Sequence, residues 1–99
     1  MRNYELTYIV HPDLDDTAFK ALNEQIAGWV TADGGKINKS DVWGKRKMAY
    51  EIRKQTEGNY VHLLIEMNPS YGVEIERQLK LQESVLRFLL ILIEEEKAK

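Results

Sequence analysis

The sequence predicts an α+β domain of the ferredoxin-like type, in which one four-stranded antiparallel sheet carries two helices on one face. Two observations support this prediction. Four segments show the alternation or the short apolar run of a strand, and two others repeat apolar residues at spacings of three and four. The resulting order is β-α-β-β-α-β, which usually places the first and third strands at the centre of the sheet.

The first strand is predicted over residues 3–10 and the first helix follows after a break at His11-Pro12. The side chains expected on the buried face of the strand are Tyr4, Leu6, Tyr8 and Val10. The carboxylates of DLDD favour a helix start. The apolar stripe that predicts about four helical turns is Phe19, Leu22, Ile26, Trp29 and Val30. Asp33-Gly34-Gly35 is expected to end this helix.

The second and third strands are predicted to form a long hairpin. Gly44 interrupts the first of them and indicates a bulge or bend, after which Met48, Tyr50 and Ile52 share one side. Residues 55–59, QTEGN, are predicted to form the turn, and residues 59–67 the next strand.

The second helix is predicted to open at Asn68-Pro69-Ser70, with Ser70 as N-cap and with Ile75 and Leu79 on its buried stripe. Residues 85–94 then predict the last strand. We therefore expect one domain over residues 1–94 and a charged, flexible tail over residues 95–99.

Composition narrows the class of protein. The chain has no cysteine, which excludes disulfides and thiolate metal sites. Its longest apolar run, FLLILI, is far shorter than the roughly 20 residues of a membrane span. The N-terminal residues lack the apolar core of a secretory signal. These observations predict a small, soluble, cytoplasmic domain without membrane contact.

Positive charge is concentrated in one segment, GKRKMAYEIRK, over residues 44–54. Five cations there stand against Glu51 alone, whereas the whole chain has 14 cations and 16 acids. Charge on an exposed edge strand can simply protect the sheet from aggregation. Consecutive Lys and Arg beside aromatic residues can also position a phosphate backbone. Charge alone leaves both interpretations open.

The sheet face without helices is predicted to be unusually apolar. Its residues would be Ile9, Tyr60, His62, Leu64, Leu89, Ile91 and Ile93. An apolar patch on this face favours a protein partner, although strand register or loop coverage could hide part of it. Trp29 and Trp43 are expected to be packing residues rather than stacking platforms.

No pattern in the sequence predicts catalysis, a metal site or a cofactor. His11 with the nearby aspartates is explained by the turn and by the helix start. RNA-recognition motifs, small acyl-phosphate hydrolases and metabolite-sensing domains share this element order. The chain lacks the basic-Gly-aromatic-Gly run of an RNA-recognition motif, and the loop of an acyl-phosphate hydrolase would here be acidic. A self-assembling or ligand-sensing domain that uses its open sheet face remains the alternative.

The runs MRNYELTYIVHPDLD, GKRKMAYEIRK and EGNYVHLLIEM together resemble the bacterial small-subunit ribosomal protein family numbered six. The resemblance covers nearly the whole chain. The run GKRKMAYEIR follows the family's pattern of Gly, basic pair, apolar residue, Ala-Tyr, any residue, Ile and basic residue. Met48 stands where leucine is usual, and Lys45 and Lys47 stand where arginines are common, so bidentate phosphate contacts would be weaker there.

The resemblance implies a non-catalytic protein of the cytoplasmic ribosome. Its expected partners are the central domain of 16S ribosomal RNA and the small-subunit protein numbered eighteen, as a heterodimer, with no small-molecule substrate. The residues carried over as RNA-binding are Arg2, Lys45, Arg46, Lys47 and Arg87, with Arg53, Lys54 and Tyr60 as weaker candidates. Strand alternation, rather than a family motif, assigns the protein-partner surface to Tyr60, His62, Leu89 and Ile91.

Overall fold

The structure, a computed structural model, describes residues 2–32 and 34–93. Its elements in chain order are β1 (Arg2–Val10), α1 (Asp16–Thr31), β2 (Lys36–Ile52), β3 (Gln55–Met67), a 3₁₀ turn (Pro69–Tyr71), α2 (Gly72–Lys80) and β4 (Val85–Leu92). The predicted tail, residues 95–99, and the predicted end of the last strand at residue 94 lie outside the described residues.

The four strands form one antiparallel sheet in the order β2-β3-β1-β4. The predicted ferredoxin-like arrangement is therefore confirmed, with the first and third strands at the centre. Register also agrees with the predicted faces, since Leu6 lies opposite Leu63 on β3 and opposite Leu90 on β4. Among the described residues, neither α1 nor α2 has the length and apolar character that crossing a membrane requires.

The main core lies between the helices and one face of the sheet. Leu6 and Val10 of β1 are fully enclosed, as are Ile26 of α1 and Ile75 of α2. Tyr8 is buried with them, and its hydroxyl donates to Asn23 Oδ1 on α1 at 2.5 Å. Burial raises the pKa of the Tyr8 phenol well above its ordinary value.

The two helices start differently. Asp15 caps α1 as the carboxylate pattern predicts, because its Oδ1 accepts a hydrogen bond from the Ala18 amide at 2.8 Å. The prediction that Ser70 caps the second helix is wrong. Ser70 lies inside the 3₁₀ turn, and α2 begins after Tyr71 without a side-chain cap. Pro69 lies at the first position of that turn, where its missing N–H leaves no intrahelical hydrogen bond unmade.

The β2–β3 hairpin turns earlier than predicted. Ile52 pairs directly with Gln55, so the turn is Arg53-Lys54, and residues 55–59 belong to β3. Both turn residues have positive φ, 52° and 67°, which is the backbone of a type I′ turn. Such turns usually contain Asn or Gly, so the sequence carried no signal for a turn at two long cations.

Candidate RNA and protein interface

The edge strand β2 carries the predicted cationic row. Lys45, Arg46 and Lys47 are all exposed, and no ion pair within the described residues engages them. Backbone alternation places Arg46 on the face without helices, here called the outer face, and its two neighbours on the reverse side. Three cations are thus presented to solvent along about 7 Å of an edge strand.

Gly44 lies directly before this row and allows the strand to bend. Its φ is +87°, and the pairing with β3 shifts between Val42 and Gly44. Only glycine adopts this conformation without strain. The predicted bulge is therefore confirmed, and beyond it Arg46 and Met48 lie on the outer face of the sheet.

Arg53 and Lys54 lie at the tip of the hairpin, beyond the cationic row. The Arg53 Nη1 donates to the Glu83 carbonyl at 3.0 Å, which ties the tip to the loop that precedes β4. Both side chains remain exposed. The hairpin tip is consequently an extension of the cationic row with one of its two cations already partnered.

Arg87 lies on β4, at the far edge of the sheet, yet the hairpin reaches it. Its guanidinium donates to the Tyr50 hydroxyl and lies 5.9 Å from the centre of the Tyr50 ring. Since Tyr50 belongs to β2, the distal part of the hairpin crosses the outer face. Arg2, by contrast, is exposed at the opposite end of β1, roughly 27 Å along the strand from Val10. It is not part of the same cluster.

An aromatic cluster stands on the outer face beside the cationic row. The Trp43 ring stacks on His62, with ring centres 5.4 Å apart, and on Tyr60, with centres 6.3 Å apart. The Arg46 guanidinium lies 5.7 Å from the centre of the Trp43 ring. Trp43 is 44% exposed, so the expectation that it is a packing residue is wrong. Trp29 does pack against the main core.

A groove of about 460 Å³ lies next to the aromatic cluster, between the crossing hairpin and the sheet. Two of its lining residues, Ile9 and Met48, are buried with Leu86 in a second small core. Ile9 was expected on an open surface, but the hairpin covers it. Gly58 permits this, because a Cβ there would overlap Ile9 Cγ2. The lining residues of the groove are Thr7, Ile9, Trp43, Met48, Ala49, Tyr50, Ile52, Tyr60, Arg87, Phe88 and Leu89.

The rest of the outer face stays open. Leu89 and Ile91 are 54% and 44% exposed, and they flank β1 opposite Thr7 and Glu5. His62 lies across Thr7 from Leu89, with its Nε2 3.8 Å from the Glu5 carboxylate. The predicted partner residues therefore share one face, as alternation indicates. Within the described residues, no group of three or more His, Asp or Glu side chains could hold a metal ion.

Comparisons with known proteins agree over nearly the whole chain. A family model described as ribosomal protein S6 matches residues 3–91. The small ribosomal subunit protein bS6 of Moorella thermoacetica is 42% identical over 96 residues, or 97% of this chain and 98% of the relative. That of Nocardia farcinica is 47% identical over 87 residues, or 88% and 92%. The crystal structure of 30S ribosomal protein S6 from Thermotoga maritima has a TM-score of 0.89 at 27% identity, covering 93% of this chain and 87% of that one.

Proposed function

The chain belongs to the ribosomal protein S6 family of the small ribosomal subunit, and from this premise we propose that it binds the central domain of 16S ribosomal RNA together with the small-subunit protein numbered eighteen. Its family consists of structural proteins of the cytoplasmic bacterial ribosome, in agreement with the predicted lack of enzymatic activity.

The observation that carries the RNA part of the proposal is the exposed row Lys45, Arg46 and Lys47 on an edge strand. Cations that neutralise phosphates release condensed counterions, and this release drives association. The hairpin is tied at its tip through Arg53 and across the face through Arg87. The row is thus held on a supported scaffold, which lowers the conformational entropy lost when RNA binds.

The partner part of the proposal rests on the open half of the outer face. Leu89 and Ile91 expose apolar surface, and the neighbouring Glu5 and His62 supply polar groups at its centre. The net charge of this chain is −2, so its overall electrostatic attraction for RNA is weak. A basic partner that covers this apolar surface would contribute the missing positive charge and bury the patch.

The test is the affinity for a central-domain 16S RNA fragment across a salt series, with and without the partner protein. The proposal expects tight, salt-sensitive binding when the partner is present and much weaker binding by this chain alone. Absence of binding in both arms, with a stable homodimer in solution, would favour the alternative of a self-assembling domain that uses the same open face.

A further inference from the structure

The groove under the crossing hairpin is lined by aromatic side chains, which phosphate contacts alone do not require. Four of its lining residues are aromatic, namely Trp43, Tyr50, Tyr60 and Phe88. Its volume of about 460 Å³ is within the range of about 300–1,000 Å³ that is usual for small-molecule sites. The groove is therefore large enough for a flat ring system, and the exposed parts of Tyr50 and Trp43 offer such a ring aromatic surface.

Two arginines lie at the groove, whereas the Glu5 carboxylate on the same face lies outside its lining, 3.8 Å from His62 Nε2. Arg87 is the one charged residue in its lining, within the described part of the chain. Arg46 is a second cation near the groove, because its guanidinium lies over the ring of the lining residue Trp43. An apolar side chain from a protein would need no cations at the mouth, whereas a nucleotide needs an aromatic site for its base and a cation for its phosphate.

We propose that this groove binds one unpaired RNA base, with the flanking phosphates held by Arg87 and Arg46. The proposal rests on the proposed RNA-binding function and assigns to it a site that recognises single-stranded RNA. Single-stranded segments of structured RNA are recognised by stacking of splayed bases on aromatic side chains. The groove supplies the rings, and the cationic row supplies the register along the backbone.

Tyr50 is the residue on which this proposal can be tested most cleanly. Its ring is 58% exposed, lines the groove and lies beside Arg87, so its replacement should leave the buried core intact. Tyr50→Leu removes the aromatic surface and keeps apolar bulk. Tyr50→Phe keeps the ring and removes only the hydroxyl that accepts from Arg87, which makes it the matched control.

The experiment follows the indole Nε1–H resonance of Trp43 by NMR while the full chain is titrated with tetra-adenylate. A tetramer of abasic ribose phosphates, with the same charge and no bases, is the second probe. We expect the base-carrying tetramer to bind about tenfold more tightly than the abasic one, because each stacked base adds affinity. Tyr50→Leu should abolish most of this preference, and Tyr50→Phe should retain it.

The outcomes separate this proposal from the function on which it rests. If the 16S fragment binds in the presence of the partner, but tetra-adenylate shows no preference over the abasic tetramer, the groove proposal is wrong and the proposed function stands. If the fragment does not bind at all, the proposed function fails. If Tyr50→Leu weakens affinity for the partner protein and leaves RNA affinity unchanged, the groove receives a protein side chain and the proposal is overturned.

Discussion

Replacement of Lys45, Arg46 and Lys47 together by glutamine is expected to weaken RNA binding and to make the affinity less dependent on salt concentration. Glutamine removes the positive charge and keeps a polar, unbranched side chain of somewhat shorter length at each position. All three residues are exposed and free of ion pairs within the described residues. The stability cost should be limited to the contact of Arg46 with Trp43, about 0.5–1 kcal/mol.

The size of the effect follows from the number of cations removed. Each phosphate contact contributes about 0.7–0.9 to the slope of log affinity against log salt concentration. If each cation meets one phosphate, the slope falls by about 2–2.7 units. Between 50 and 200 mM salt, the wild-type protein should then lose about 20- to 40-fold more affinity than the variant.

The assay is the affinity for the central-domain RNA fragment with the partner present, at several salt concentrations. The matched control replaces Lys20, Lys36 and Lys80 by glutamine, since these lysines are exposed elsewhere on the molecule. It removes the same charge from a chain whose net charge is −2. An equal loss of slope in both variants would refute the argument, because the effect would then come from net charge and not from the position of the cationic row.

Three further predictions concern the partner surface and the stability of the fold. Ile91→Asp should reduce the affinity for the partner by at least tenfold, as measured by calorimetry. The midpoint of urea unfolding should not change, because Ile91 is 44% exposed. A lowered midpoint would mean that the Ile91 side chain belongs to the buried core. Gly58→Ala should cost about 1–3 kcal/mol in urea unfolding, since the added Cβ meets Ile9 Cγ2. Gly28→Ala lies at a helical site where, apart from the helix's own backbone and the adjacent residues, no atom is within 4 Å of the new Cβ. It should stabilise the fold by about 0.5–1 kcal/mol, and the reverse ranking of the two variants would contradict the packing described here. Burial raises the pKa of Tyr8 above its ordinary 10.0, so the unfolded chain ionises first as the pH rises above 10. The free energy of unfolding should therefore be unaffected by Tyr8 below pH 10 and fall above it by up to about 1.4 kcal/mol per pH unit. Tyr8→Phe should flatten this alkaline fall, and an unchanged slope would exclude Tyr8 as its cause.

The fold could be predicted from the sequence because hydrophobic periodicity is a local property that tertiary packing reinforced. Leu6 and Val10 alternate as a strand requires, and Ile26 and Val30 repeat as a helix requires, and all four are fully buried. The ends of the helices and strands were harder to predict from the sequence. The hairpin turns at Arg53-Lys54, where the register between two long strands outweighed the turn preferences of the sequence.

The candidate site was predictable as a set of charges but not as an arrangement. The row at Lys45 is contiguous in sequence, so its clustering needed no knowledge of the fold. The exposure of Trp43 depends on the bulge at Gly44, which shifts the alternation and places the ring on Tyr60 and His62. Alternation counted back through that bulge from Lys45 and Lys47 assigns the ring to the reverse face. The contact between Tyr50 and Arg87 joins residues far apart in the sequence, and no local pattern around either residue predicts it.

The most direct test of the central claim is to map protein–RNA cross-links in the small subunit assembled with this chain. Lysine-reactive cross-linking followed by mass spectrometry compares Lys45, Lys47 and Lys54 with Lys20 and Lys80, which are exposed on the helices. The account predicts that 16S RNA is cross-linked to the hairpin lysines and not to the helix lysines. Cross-links confined to Lys20 and Lys80, with the hairpin unreacted toward RNA, would contradict it.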